Sequence, residues 1–136
     1  MSLSAEQRAT LVKLYLDKAW LTYQEAIIAA EKESWSMAAN RLYYALFHAT
    51  SALFVNDGLE VRSHRGIKAK LGQYYILTGK LSSDYSYFLA KMETLRDKAD
   101  YNVQFVATDK DVIPNLPLAK DFIETLEKMI GSGAVS

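Results

Sequence analysis

The chain has 136 residues, 50% of them hydrophobic and 12% aromatic, which excludes a disordered chain and suits one folded domain over residues 1–136. Sixteen Lys and Arg balance sixteen Asp and Glu, so no global field draws in nucleic acid and any polyanion site must be a local patch. There is no cysteine, which removes disulfides and thiolate chemistry. No apolar run approaches a bilayer span, and the first ten residues lack an apolar signal core, so a soluble cytoplasmic protein without membrane contact is expected.

Both prolines, Pro114 and Pro117, lie late, which leaves residues 1–113 free of the strongest helix breaker. No stretch alternates as a strand does. The first helix is expected from about Ser4 to Glu33, opened by a Ser4–Gln7 capping box, with Leu11, Leu14, Tyr15, Ala19, Thr22 and Ala26 at helical spacing. The second starts near Ser34 or Ser36 and ends before Gly58. Ser63 caps a third through Thr78, with Gly79 closing it. A fourth begins at Ser82 or Ser83 and carries Tyr85, Phe88, Leu89, Met92, Leu95 and Ala99 on one face. Residues 101–117 read as irregular. A last helix spans about Leu118 to Ile130, stopped by Gly131, with a loose tail from about 131. The architecture is an all-α, up-and-down bundle of about five helices.

The second helix carries one formal charge between Ser34 and Asn56, at Arg41, too few for a surface helix. Leu42, Leu46, Ala49 and Leu53, with Tyr43, Phe47 and Phe54 beside them, form its core face. The opposite face holds Arg41, Tyr44, Ala45, His48, Ser51 and Ala52, and its small residues admit a close neighbour: the fourth helix or a second copy of the chain. Arg41 and His48 are seven apart and share this face. A structural role satisfies both by local partners. A functional role makes them a phosphate or nucleotide site, with Arg as a bidentate donor, His titrating near neutrality and Tyr stacking on a base.

In the fourth helix, Arg96 lies four residues after Met92 and seven after Leu89, so it points along the apolar face. An Arg96–Asp100 ion pair is the structural explanation, yet such a pair is weak when exposed, and a buried guanidinium is costly unless fully paired. Arg62, His64, Arg65, Lys68 and Lys70 cluster where the third helix begins, either as a solvated basic face or as a phosphate site at a helix N-terminus. The six glycines are dispersed and form no phosphate loop. The two histidines have no carboxylate at ligand spacing, so neither a metal nor a cofactor is expected.

AANRLYYALFHATSALF (38–54), SHRG (63–66), TGKL (78–81) and LRDKADY (95–101) together resemble the HEPN family, the higher-eukaryote and prokaryote nucleotide-binding domain. The resemblance implies a helical bundle that commonly forms a homodimer, with many members being RNA-cleaving toxins and others non-catalytic partners. A small nucleotidyltransferase acting as antitoxin is the expected partner, and a nucleotide or RNA the expected ligand. In the ribonuclease members an arginine is followed after four to six residues by a histidine, two copies build one metal-independent site, and the ribose 2′-OH attacks the adjacent phosphate. Arg96 matches that arginine, Tyr101 stands where the histidine would be, and no histidine follows Arg96. His48 can serve instead if the second and fourth helices face each other. The expected binding seam is therefore Arg41, Tyr44, His48, Arg96, Asp100 and Tyr101, with His64 and Arg65 beside it, and Arg96 and His48 as the candidate catalytic pair. The alternatives are an active endoribonuclease and a non-catalytic dimerisation module.

Overall fold

The computed structural model describes residues 3–60 and 64–133, and the side chains of all of these but 64, 65 and 133. Among the described residues, six α-helices follow in chain order: α1 (Ala5–Glu31), α2 (Trp35–Asn56), α3 (His64–Leu71), α4 (Ser83–Tyr101), α5 (Asp109–Val112) and α6 (Leu116–Gly133). There is no strand among the described residues, and the architecture is an all-α bundle. The expected cap at Ser63 lies outside the described residues, as do the side chains of His64 and Arg65.

Local chemistry opens and closes these helices. The Ser4 hydroxyl accepts from the Gln7 amide while the Gln7 side chain accepts from the Ser4 amide, so two orphan donors of the first turn are satisfied. Ser82 caps α4 by accepting from the Asp84 amide. At Glu33, φ is +57°, a rare conformation for a non-glycine residue, in the tight turn that sends the chain from α1 into α2.

Helix α2 is the centre of the bundle, packing most extensively on α1 and also on α4 and α6. Ala19, Ala26 and Ala29 of α1 and Ala38, Ala45, Ala49 and Ala52 of α2 are buried, and small side chains permit the close approach of two long helices. Leu42, Tyr43, Leu46, Leu53 and Phe54 supply bulk to the same core, which Leu89 and Met92 of α4 and Phe122, Ile123 and Leu126 of α6 complete. On the side of α2 opposite its leucines, Ala45, Ser51 and Ala52 are buried and Tyr44 meets Arg96 of α4, while Arg41, Tyr44 and His48 stay partly exposed.

Four features differ from expectation. Leu14, read at helical spacing with Leu11 and Tyr15, is 59% exposed, while those two pack against the core. The third helix widens after Leu71 into a π-helical turn over Gly72–Ile76, closed by a Leu77 amide to Gly72 carbonyl bond of 2.9 Å. That turn buries Tyr75, whose ring stacks on Phe54 at 5.8 Å and whose hydroxyl donates to Asp57 at 2.5 Å. Gly79, at φ +77°, does close the segment.

The stretch expected to be irregular contains α5, fixed by a Thr108–Asp111 capping box, and a 3-10 turn over Ile113–Asn115 that leads directly into α6. Pro114 and Pro117 start turns rather than break them, since a first-turn residue needs no amide hydrogen. At the other end α6 runs through Gly131 to Gly133: a glycine stops a helix when it takes positive φ, and Gly131 does not.

Candidate functional site

The site forms where α2 meets α4. Arg96, on the inner face of α4, has a side chain only 13% exposed. Burial of a guanidinium is unfavourable by several kcal/mol unless the surroundings restore its interactions. Here the guanidinium carbon lies 5.0 Å from the Tyr43 ring centroid, 5.5 Å from that of Tyr44 and 5.9 Å from that of Tyr101. Three aromatic faces around one cation offer stabilisation on the order of 1 kcal/mol each where water is excluded. Nη1 donates to the Tyr44 hydroxyl at 3.1 Å, and Nη2 pairs with Asp97 at 2.8 Å. Nε is buried and makes no hydrogen bond among the described residues, so this fork retains donor capacity.

Tyr44 is the hub of the seam. Arg41 lies 5.5 Å from its ring centroid on α2 and Arg96 the same distance from α4, while the His48 ring sits one helical turn on, 6.4 Å between centroids. The structure therefore brings Arg41, His48 and Arg96 together around the Tyr44 ring, and Tyr101 joins them through Arg96. His48 also lies edge-on to Phe47 at 5.8 Å. Tyr101 differs from the others in being 74% exposed, so it forms an open edge to the cluster.

Asp100 does not pair with Arg96. Its carboxylate accepts from Asn40 Nδ2 at 2.9 Å, and Asn40 Oδ1 in turn accepts from Arg41 Nε at 3.0 Å and Nη2 at 2.7 Å. Arg41 Nη1 reaches Glu25 of α1 at 3.3 Å. One polar chain, Glu25–Arg41–Asn40–Asp100, thus ties α1, α2 and α4 together. The expected intrahelical pair does not form because the inward Arg96 side chain turns toward Asp97 and the tyrosines, leaving Asp100 at the helix edge facing Asn40.

On the other flank, Tyr43 donates to Glu93 at 3.3 Å, and Glu93 pairs with Lys68 of α3 at 3.0 Å. Burial first, and the neighbouring Glu93 carboxylate second, push the Tyr43 hydroxyl well above its ordinary range, so it is a neutral donor at every physiological pH. Lys68, read from sequence as part of a basic patch, is here a structural partner of α4. Tyr43, Asn40, Glu93 and Asp97 are the site residues that sequence reasoning missed. Of these only Asn40 had a signal, as the polar residue next to Arg41 in a helix otherwise nearly devoid of charge.

Chemically, the seam sets two ion-paired arginines among aromatic rings, with an open tyrosine edge at Tyr101 and a buried guanidinium Nε that makes no hydrogen bond among the described residues. Among the described residues no group of His, Asp and Glu side chains is arranged to hold a metal ion, and no helix is long and apolar enough to cross a membrane.

Comparison with known proteins bears on the family of the chain. The family model described as "HEPN domain" matches residues 12–129. A "UPF0332 protein" of Thermotoga maritima is 27% identical over 91% of this chain and 94% of its own length. A Methanocaldococcus jannaschii protein named "Putative toxin" is 29% identical over 77% of this chain and 78% of its own. A further "UPF0332 protein", from Gloeobacter violaceus, is 30% identical over 63% of this chain and 68% of its own.

Proposed function

The chain belongs to the HEPN domain family, and from that membership we propose that its α2–α4 seam binds the phosphate and base of a nucleotide or RNA strand. The observation that carries the reading is the Arg96 guanidinium, nearly buried, walled by Tyr43, Tyr44 and Tyr101, and holding an unused buried donor at Nε. A purely structural arginine is expected to have its donors spent. Arg96 holds the phosphate, Tyr101 offers a stacking face, and Arg41 adds a second positive charge across Tyr44.

The family, together with a relative named as a toxin candidate, supports a role in a toxin–antitoxin or defence pair whose partner is a small nucleotidyltransferase. Leu14, Leu21 and Ile28, exposed at intervals of seven along α1, support assembly as a homodimer. The test is thermal stabilisation by a mononucleotide or short RNA. Wild type gains several degrees and Arg96→Ala gains none, while its circular dichroism stays helical. Equal shifts in both proteins would refute the seam.

The Tyr44 bridge favours a second reading, cleavage without metal by Arg96 and His48. The His48 ring adjoins the ring that Arg96 touches, which is the adjacency a proton-transferring group and a charge-stabilising group need. On this reading His48→Ala abolishes RNA cleavage in EDTA without unfolding the protein.

A further inference from the structure

The outer side of α4 carries a second pattern, which shares Tyr101 with the seam. Tyr87, Lys91, Thr94, Lys98 and Tyr101 follow one another at intervals of four, three, four and three residues, which is one stripe along a helix. Both tyrosines are well exposed, 71% at Tyr87 and 74% at Tyr101. With Phe105 and Lys110 from the segment after α4, the first four of these residues line an open groove of ≈ 450 Å³.

The cations of this groove are uncommitted. Lys91, Lys98 and Lys110 form no ion pair among the described residues. Lys98 lies 6.0 Å from the Phe105 ring centroid, so an aromatic face and a positive charge are presented together. Acids nearby are turned to other work. Asp111, which lines the groove, has its Oδ2 occupied by the Thr108 amide at 2.8 Å. Asp97 pairs with Arg96, and Glu93 with Lys68. An otherwise neutral protein thus has a local cationic strip interleaved with aromatic rings.

The strip leads to the seam. Lys98 also borders a shallow depression shared with Asp97, Tyr101 and Asn102, and the Tyr101 ring is one of the three around Arg96. We propose that this groove is a track for single-stranded RNA, which enters along Lys91, Lys98 and Lys110 and reaches Arg96 past Tyr101. Lysines placed along a groove neutralise successive phosphates, and exposed rings stack on unpaired bases without regard to sequence. From Tyr87 to Tyr101 the stripe is about 21 Å long at the helical rise, so it engages several nucleotides rather than one. The proposal rests on the seam being the RNA phosphate site and extends it to the flanking strand.

The test compares a labelled oligouridylate 12-mer with a uridine dinucleotide by fluorescence anisotropy across a range of salt. The proteins are wild type, the triple variant Lys91→Gln/Lys98→Gln/Lys110→Gln, and Arg96→Ala, each checked for its melting transition. The expected result is a 12-mer bound at least tenfold more weakly by the triple variant, with dinucleotide binding unchanged. The slope of log affinity against log salt should also fall by about two, since each phosphate no longer neutralised lowers it by ~0.7. A triple variant that holds the 12-mer as tightly as wild type overturns the track, as does a wild type that binds the 12-mer no better than the dinucleotide or prefers a duplex of that length. Dinucleotide binding lost in Arg96→Ala but not in the triple variant keeps the seam whatever the fate of the track. The converse, dinucleotide binding intact in Arg96→Ala with the 12-mer lost in the triple variant, upholds the groove as an RNA site and removes the seam.

Discussion

Arg96 donates from Nη1 to the hydroxyl of Tyr44 at 3.1 Å while its guanidinium lies 5.5 Å from the centroid of the same ring. One tyrosine thus holds the arginine in two ways, by an acceptor at the ring's tip and by the ring itself. The two can be separated. Tyr44→Phe removes the acceptor and keeps the ring, and is expected to lose about 1–2 kcal/mol in urea denaturation at pH 7. Tyr44→Ala removes both and is expected to lose more. Equal losses in the two variants would mean that the hydroxyl contributes everything and the ring nothing.

Asn40 joins Arg41 to Asp100, and so α2 to α4. Asn40→Ala and Asp100→Ala should therefore be non-additive. A double-mutant cycle is expected to give a coupling of at least ~0.5 kcal/mol, the range for residues sharing one hydrogen bond. Strict additivity would separate the two residues energetically.

Leu46 is fully buried where α2 meets its neighbours. Leu46→Ala is expected to cost about 2–5 kcal/mol, from the missing burial plus the cavity left behind. Thermal unfolding followed by circular dichroism measures it, and a loss under about 1 kcal/mol would place this residue outside the tightly packed core.

Alkaline stability reports on Tyr75. Burial first, then the hydrogen bond and charge of Asp57, push its hydroxyl well above the ordinary value of 10.0. The unfolded chain releases this proton near pH 10 while the folded chain retains it, so the folded state binds more protons and stability falls as pH rises past 10. Below that pH the contribution is fully present. Tyr75→Phe removes the proton and should show a shallower decline between pH 9 and pH 11 in denaturant titrations. An identical decline in the variant would contradict the assignment.

Much of the frame could be read from residue spacing. Ser4 and Gln7 announced the first cap, the near absence of charge in α2 announced its central place, and the register of Arg96 with Leu89 and Met92 announced an inward arginine. What could not be read were the partners. Helical spacing points Arg96 to Asp100, one turn on, rather than to the adjacent Asp97, and the pairing changes because Asn40 reaches Asp100 from another helix while Arg96 turns to Asp97. Glu93 and Lys68 are ordinary surface residues in sequence and meet only because α3 lies against α4. The π-helical turn at Gly72–Ile76 has no signature beyond its glycine, and its cause is tertiary: Tyr75 is drawn in to stack on Phe54. Capping at Thr108–Asp111 was legible in principle, but two prolines nearby made the segment read as coil.

The most direct test of the seam is the affinity of a uridine dinucleotide for wild type and for Arg96→Lys, measured by titration calorimetry. Lysine keeps the positive charge but has neither the planar face that lies among Tyr43, Tyr44 and Tyr101 nor the fork that can take a phosphate at two points. Wild type should bind saturably and Arg96→Lys should bind tenfold or more weakly, with the helical content of the two proteins equal. Equal affinities, or a wild type that does not bind, would contradict a phosphate site at Arg96.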